Sequence, residues 1–215
     1  MRTRHPSRSL CFALLLAFSA GSPLAATPAA TSFVNCGAAG CVPANWGPGQ
    51  IAAGFGVGGF QPGQTFAPAI TGVVVSVRLG LETSGVIAAI AEIRPTVNGL
   101  PTNTVLASAP VPGAPYTAGV LYTADFAPSN LVLTAGTRYA VTLRANAPQL
   151  ISILAAFPAC AVATTGTHDY VHSDDFGQTW AKLATRDRSI IYQVCLDAAT
   201  PARADTWGRV KAIYR

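Results

Sequence analysis

The stretch TGVVVSVRLGLE, Thr71 to Glu82, decides the fold class of this chain. Val73, Val75, Val77, Leu79 and Leu81 occupy alternate positions, with Ser76 and Arg78 on the other set. Successive side chains of an extended strand point to opposite faces, so this period of two predicts a half-buried strand. TRYAVTLRA, Thr137 to Ala145, follows the same rule. Tyr139, Val141 and Leu143 are expected to face a core, and Arg138, Thr142 and Arg144 to face outward. SGVIAAIAEIRP, Ser84 to Pro95, has enough alanine to permit a short helix, but its neighbours favour a strand.

Working outward, further strands are expected at Gln64 to Phe66, Val105 to Val111, Val120 to Phe126, Leu131 to Leu133, Gln149 to Phe157 and Ser189 to Leu196. Turn signals separate them: Asn98-Gly99, Pro112-Gly113, Pro128 to Asn130 and Ala135-Gly136. No segment carries a capped helical period of useful length. Half of the residues are hydrophobic and only 11% are charged, with 20 Gly and 16 Pro as punctuation. Short apolar runs broken this way describe an all-β chain: a single-domain antiparallel β-sandwich of roughly ten strands with little helix. No repeat of about forty residues is present, which argues against a propeller.

The N-terminus addresses the chain for export. Arg2, Arg4 and Arg8 precede the apolar run Leu10 to Ala20, and a small-residue site follows at Leu24-Ala25-Ala26. That pattern predicts a signal peptide over residues 1–26, too short to span a membrane. Residues 27–60 form a leader and first loop or strand region, 61–197 the β core, and 198–215 a linker and tail. The expected location is therefore secreted, periplasmic or cell-surface, with no membrane span in the mature chain. The formal charge of +5 overstates the basicity of the body. Three arginines leave with the signal peptide, and the tail after Pro201 carries four cations against Asp205. The body between has 7 basic and 8 acidic residues, so its net charge is −1. A nucleic-acid partner needs a basic face and is not expected.

Cys36, Cys41, Cys160 and Cys195 follow the predicted cleavage point. An even count in an exported chain points to disulfides, with three connectivities open to four cysteines. A local Cys36–Cys41 bridge with Cys160–Cys195 is the expected pairing. A zinc site is disfavoured, because the Cys36-x4-Cys41 spacing is loose and no second tight pair answers it.

SDDFGQTW, residues 173–180, supplies the most specific motif. Ser173-x-Asp175-x-Gly177-x-Thr179-Trp180 matches the Asp-box hairpin of sialidases and other secreted β proteins. Asp175 can accept hydrogen bonds from N–H groups just ahead of it. Gly177 permits positive φ, and Trp180 is expected to close over the turn. The assignment is structural, not catalytic. His168 and His172, four residues apart near Asp169, Asp174 and Asp175, are read as surface histidines and not as metal ligands, since strand geometry separates their rings. Glu92 and Asp125 are the more noticeable carboxylates, but nothing in the sequence pairs them for glycosidase chemistry. Sugar binding needs exposed rings, because a pyranose face is apolar while its rim is polar. Trp46, Tyr116 and Tyr170 are the candidates. The Asp169, Asp174 and Asp175 group offers some of the oxygens a structural calcium needs, and no other cofactor is indicated.

The order QTFAPAITGVVVSVRLGL, EIRPTVNGLPTNTVLASAPVP, LVLTAGTRYAVTLRA, SDDFGQTWAKL and SIIYQVCL resembles a family of bacterial exported β-sandwich domains. These are jelly-roll modules similar to carbohydrate-binding modules, and the likeness runs from Gln61 to Leu196. The resemblance implies fold and location, and carries over no catalytic residue. The ending TWGRVKAIYR is similar to short endings on exported bacterial proteins that serve sorting or anchoring, although a terminal strand or helical turn docked through Trp207, Val210 and Ile213 is slightly favoured. The expected function is a non-enzymatic surface module for binding or adhesion, with an extracellular glycan or surface partner. A structural envelope or matrix protein is the alternative, followed by a hydrolase using an unrecognised carboxylate pair.

Overall fold

The computed structural model describes residues 32–42, 51–55, 59–82, 88–112, 117, 119–145, 151–156, 168–183 and 189–199. Their strands in chain order are β1 (Ser32–Cys41), β2 (Ile51–Phe55), β3 (Gln61–Phe66), β4 (Gly72–Glu82) and β5 (Ala89–Val97). Next come β6 (Leu100–Pro101), β7 (Ala107–Val111), β8 (Leu121–Asp125), β9 (Val132–Leu133) and β10 (Tyr139–Ala145). The series ends with β11 (Ile151–Ala156), β12 (Tyr170–Ser173), β13 (Ala181–Lys182), β14 (Ser189–Ile190) and β15 (Tyr192–Ala199). A 3-10 turn over Ala127–Ser129 is the helical element among the described residues. Every pairing is antiparallel, as an all-β reading requires.

Two sheets result. One runs β1-β15-β4-β11-β14, with β2 on β11 and β8 and β9 on β4. The other runs β13-β12-β3-β10-β5-β6, with β7 on β5. Both supply side chains to one core that includes Phe66, Val77, Leu79, Leu81, Ile93, Val141, Leu143 and Tyr192. Asn98 and Gly99, at φ 54° and 73°, make the two-residue turn joining β5 to β6. Two positive φ values in succession match the twist of a tight hairpin, which is why Asn-Gly suits the position.

The alternation in β4 holds for Val77, Leu79 and Leu81 and fails before them. Val74 is buried, while Val73 and Val75 are half-buried. Opposite Cys195 stands Ser76, but opposite Leu196 stands Val74, so Val75 is an extra residue in the ladder. Such a bulge reverses the facing of everything before it.

Cys36 is bonded to Cys195, which corrects the expected Cys36–Cys41 and Cys160–Cys195 pairs. β1 lies against β15, and Asn35 faces Leu196, so the two cysteines are brought together by strand register. Cys41 is also disulfide-bonded; Cys160 lies outside the described residues. Disulfides of this kind persist in oxidising surroundings, which fits an extracellular location.

Candidate functional site

The seven-stranded sheet turns one face to the core and the other outward, and the β12–β13 hairpin closes over the edge of the outer face. Across β12, β3, β10 and β5 the register sets Val171, Gly63, Thr142 and Glu92 in one row. Thr142 is nevertheless completely buried. The cover is local: a Cβ on Gly177 would lie 2.7 Å from Gln61 Oε1 and 3.2 Å from Arg94 Nη2, so the hairpin tip rests on this face. The Trp180 ring stacks above the Arg94 guanidinium at 5.5 Å, a cation–π contact out of water.

Arg94 is fixed from below. Its Nη2 and Nε donate to Glu92 Oε2 at 2.6 and 3.1 Å, Nε also reaches Thr142 Oγ1 at 3.2 Å, and Nη1 donates to the Thr102 carbonyl at 3.0 Å. The other Glu92 oxygen accepts from Arg144 Nε at 2.8 Å. One buried carboxylate thus serves two arginines, the condition under which a charge is tolerated in a dry site.

Within the hairpin, the Ser173 hydroxyl donates to Asp175 Oδ1 at 2.7 Å and accepts from the Gly177 N–H at 2.8 Å. Asp175 Oδ1 also accepts from the N–H groups of Gln178 and Thr179 at 3.0 and 2.8 Å. Its Oδ2 takes the Thr179 hydroxyl at 2.6 Å. The Thr179 hydroxyl, then its N–H, the Ser173 hydroxyl and the Gln178 N–H, hold the Asp175 carboxyl down at about 2. Trp180 Nε1 donates to the Gly177 carbonyl at 3.2 Å, so the indole has a partner at its polar end.

Phe176 lies between Asp175 and Gly177, where its backbone takes φ 59°. Left-handed φ is costly for a bulky residue, about 1–2 kcal/mol. The N–H of Phe176 donates to the Gly59 carbonyl at 2.9 Å, and Gly59 (φ 85°) leaves space for the ring: a Cβ there would stand 3.1 Å from it. Phe176 as a whole is 73% exposed. The same hairpin carries an open depression of about 180 Å³ lined by His172, Ser173, Asp174, Asp175, Thr179, Trp180 and Ala181. His172 stacks on Phe60 at 5.9 Å, with Nε2 3.9 Å from Asp174 Oδ2. Its Nδ1 is buried without a hydrogen-bond partner among the described residues. The depression is bordered by hydroxyl, carboxylate and imidazole groups, and Phe176 is exposed in the same turn.

The residues singled out from sequence scatter. Trp46 and Tyr116 lie outside the described residues. Tyr170 is in the core at 5% exposure and presents no ring to solvent. His168 is drawn inward: Nδ1 meets the Tyr192 hydroxyl at 3.0 Å, and burial lowers its pKa while pushing that of Tyr192 up. Asp169 accepts from Lys182 Nζ at 2.7 Å and Arg138 Nη1 at 3.3 Å. No group of three His, Cys, Asp or Glu side chains suited to a metal occurs among the described residues. Asp125 Oδ1 accepts the N–H of Ala127, opening the 3-10 turn. Sequence reading missed Phe176, whose only signal was an aromatic where a turn ordinarily carries a small or polar residue.

No protein-family model matches the chain, and no curated protein does. Among solved structures it is similar to the cysteine protease and lectin-like domains of Cwp84, a surface layer associated protein of Clostridium difficile. The TM-score is 0.46 at 10% identity, over 65% of this chain and 32% of that one. The chain therefore spans about a third of that structure. The expectation that this chain is not an enzyme is withdrawn on this finding, because the similar protein includes a protease domain. A likeness of that size assigns neither protease nor lectin activity. Among the described residues, no helix is long and apolar enough to cross a membrane.

Proposed function

We propose that this chain is an exported surface module that binds carbohydrate at the β12–β13 hairpin. The observation that carries the reading is Phe176: an aromatic residue 73% exposed, held at φ 59° in the turn whose Asp174, Asp175 and Thr179 line a polar depression. Backbone strain is retained where the surroundings impose it, and it clusters at ligand sites. An exposed aromatic fixed in the same turn as Asp174 and Thr179 lets one sugar face stack while its rim hydroxyls find polar partners. The Cys36–Cys195 disulfide and the leader predicted for residues 1–26 support the exported setting. The jelly-roll family resemblance from Gln61 to Leu196 supports the same class of module.

Phe176→Gly separates binding from folding, since it removes the ring and relieves the positive φ together. A glycan array followed by titration calorimetry on the best ligand should show affinity weakened about tenfold, the loss of one aromatic stacking contact. Its melting temperature should stay at or above that of the parent chain. Unchanged affinity in this variant, or an array with no bound glycan, would remove the proposal.

A further inference from the structure

Two carboxylates on the outer face of the seven-stranded sheet are each shared by two cations. Glu92 meets Arg94 and Arg144. Asp169 meets Arg138 and Lys182. The face therefore carries four cations against two anions, while the body as a whole is at −1. Asp174 and Asp175 belong to the turn at its end; the first faces His172 and the second is enclosed by the donors of its own loop. Counted with them, face and hairpin balance at four cations and four anions, so the surplus belongs to the sheet side alone.

The surplus is in identifiable places. Arg94 uses all its nitrogens and is capped by Trp180. Arg144 uses only Nε, which buried Glu92 holds at 2.8 Å, and its side chain is 43% exposed. Both terminal nitrogens of Arg144 remain without a partner among the described residues. An arginine anchored through Nε by a buried carboxylate cannot swing freely, so its outer fork is pre-organised for a planar anion. Lys182 is 42% exposed on the edge strand β13, three strands from β10 and in the row of Thr142, which sets it about 16 Å from Arg144, backbone to backbone. It supplies a second, less directional positive charge. Two separated, half-exposed cations suit a chain with repeated negative charges more than one small anion.

We infer that the carbohydrate taken is an acidic polysaccharide whose anionic groups lie on this sheet face, away from Asp174 and Asp175, with Arg144 gripping one and Lys182 steering a second. The inference rests on the proposed carbohydrate site and names the class of carbohydrate. Carboxylate and sulfate share the chemistry required, and the probes below tell them apart.

The test uses the full mature chain in affinity gel electrophoresis against polygalacturonate, dextran sulfate, neutral dextran and duplex DNA. Polygalacturonate or dextran sulfate should bind at least about tenfold more tightly than neutral dextran, with the preference falling as salt rises. Polygalacturonate alone would assign carboxylate, and dextran sulfate alone would assign sulfate. Arg144→Gln should weaken the acidic ligand about fivefold, and Arg144→Lys should recover only part of that, because charge returns without the fork. If Arg144→Gln melts early, Lys182→Gln on the exposed edge gives an independent reading, with a loss of about threefold. The inference is overturned by equal affinity for neutral and acidic polymers, by DNA binding as tightly as the acidic glycans, or by full affinity in an Arg144→Gln/Lys182→Gln double variant. Neutral glycans that bind and are lost in Phe176→Gly, with no acidic preference, would leave the hairpin proposal standing and remove this one. No polysaccharide binding at all would remove both.

Discussion

Asp175 organises its turn as an anion: both oxygens accept, from Ser173, Gln178 and twice from Thr179. Its carboxyl is held at about 2 against an ordinary 3.8. A depressed folded value gives stability that is fully present above the unfolded value and is lost as pH falls through the folded one. The hairpin should accordingly lose its anchor between about pH 4 and about pH 2. Thermal melts of the parent and Asp175→Asn check this: the parent's advantage should hold above about pH 4 and shrink towards nothing near pH 2. A gap that stays constant across that range would mean that the carboxylate form is not what holds the turn. These bonds are legible in sequence because each spans only two to four residues, and a short spacing encodes a short reach. Phe176 was not legible for the opposite reason. Its exposure and its φ depend on Gly59, more than a hundred residues earlier, which no local pattern reveals.

At the scale of strands, β10 presents what its alternation predicts: Tyr139, Val141 and Leu143 inward, Thr142 and Arg144 outward. That the outward Thr142 is buried came from elsewhere, because it bonds Arg94 and Glu92, and Arg94 is itself capped by Trp180 of a remote hairpin. The Val75 bulge was hidden for a similar reason, since it is defined by the partner strand β15 and leaves β4's own apolar run unbroken. The energetic centre of the covered face is Glu92. Glu92→Gln keeps the shape of the side chain but leaves Arg94 buried without an anion. Removing one partner of a buried ion pair costs about 3–5 kcal/mol, far more than the pair itself contributes relative to apolar packing. Urea unfolding should therefore place Glu92→Gln about 3 kcal/mol below the parent. Arg144→Gln, which leaves the Glu92–Arg94 pair intact and removes a half-exposed cation, should stay within about 1 kcal/mol. Similar losses for the two variants would show that Glu92 acts as a surface group.

For the molecule as a whole, two antiparallel sheets around one core are what period-two apolar runs and frequent turns dictate, and that much was readable. How the chain ends are joined was not. Cys36 and Cys41 are neighbours in sequence and invite a local bridge, yet β1 is clamped to β15 and Cys36 meets Cys195 across a separation of 159 residues. Only long-range register, invisible to spacing, decides between those pairings. The consequence for stability is large. Closing a loop of that length removes denatured-state entropy worth up to about 5 kcal/mol, comparable to the whole stability of an ordinary domain. Because Cys41 is itself disulfide-bonded, a reducing agent would break more than this link, so a Cys36→Ser/Cys195→Ser double variant isolates it. That variant should melt well below the parent, and its hydrogen-exchange protection should be lost first in β1, which among the described residues is held in its sheet through β15. Loss spread evenly over both sheets would fit a purely denatured-state effect. An unchanged melting temperature would exclude the Cys36–Cys195 bridge as a staple of the fold.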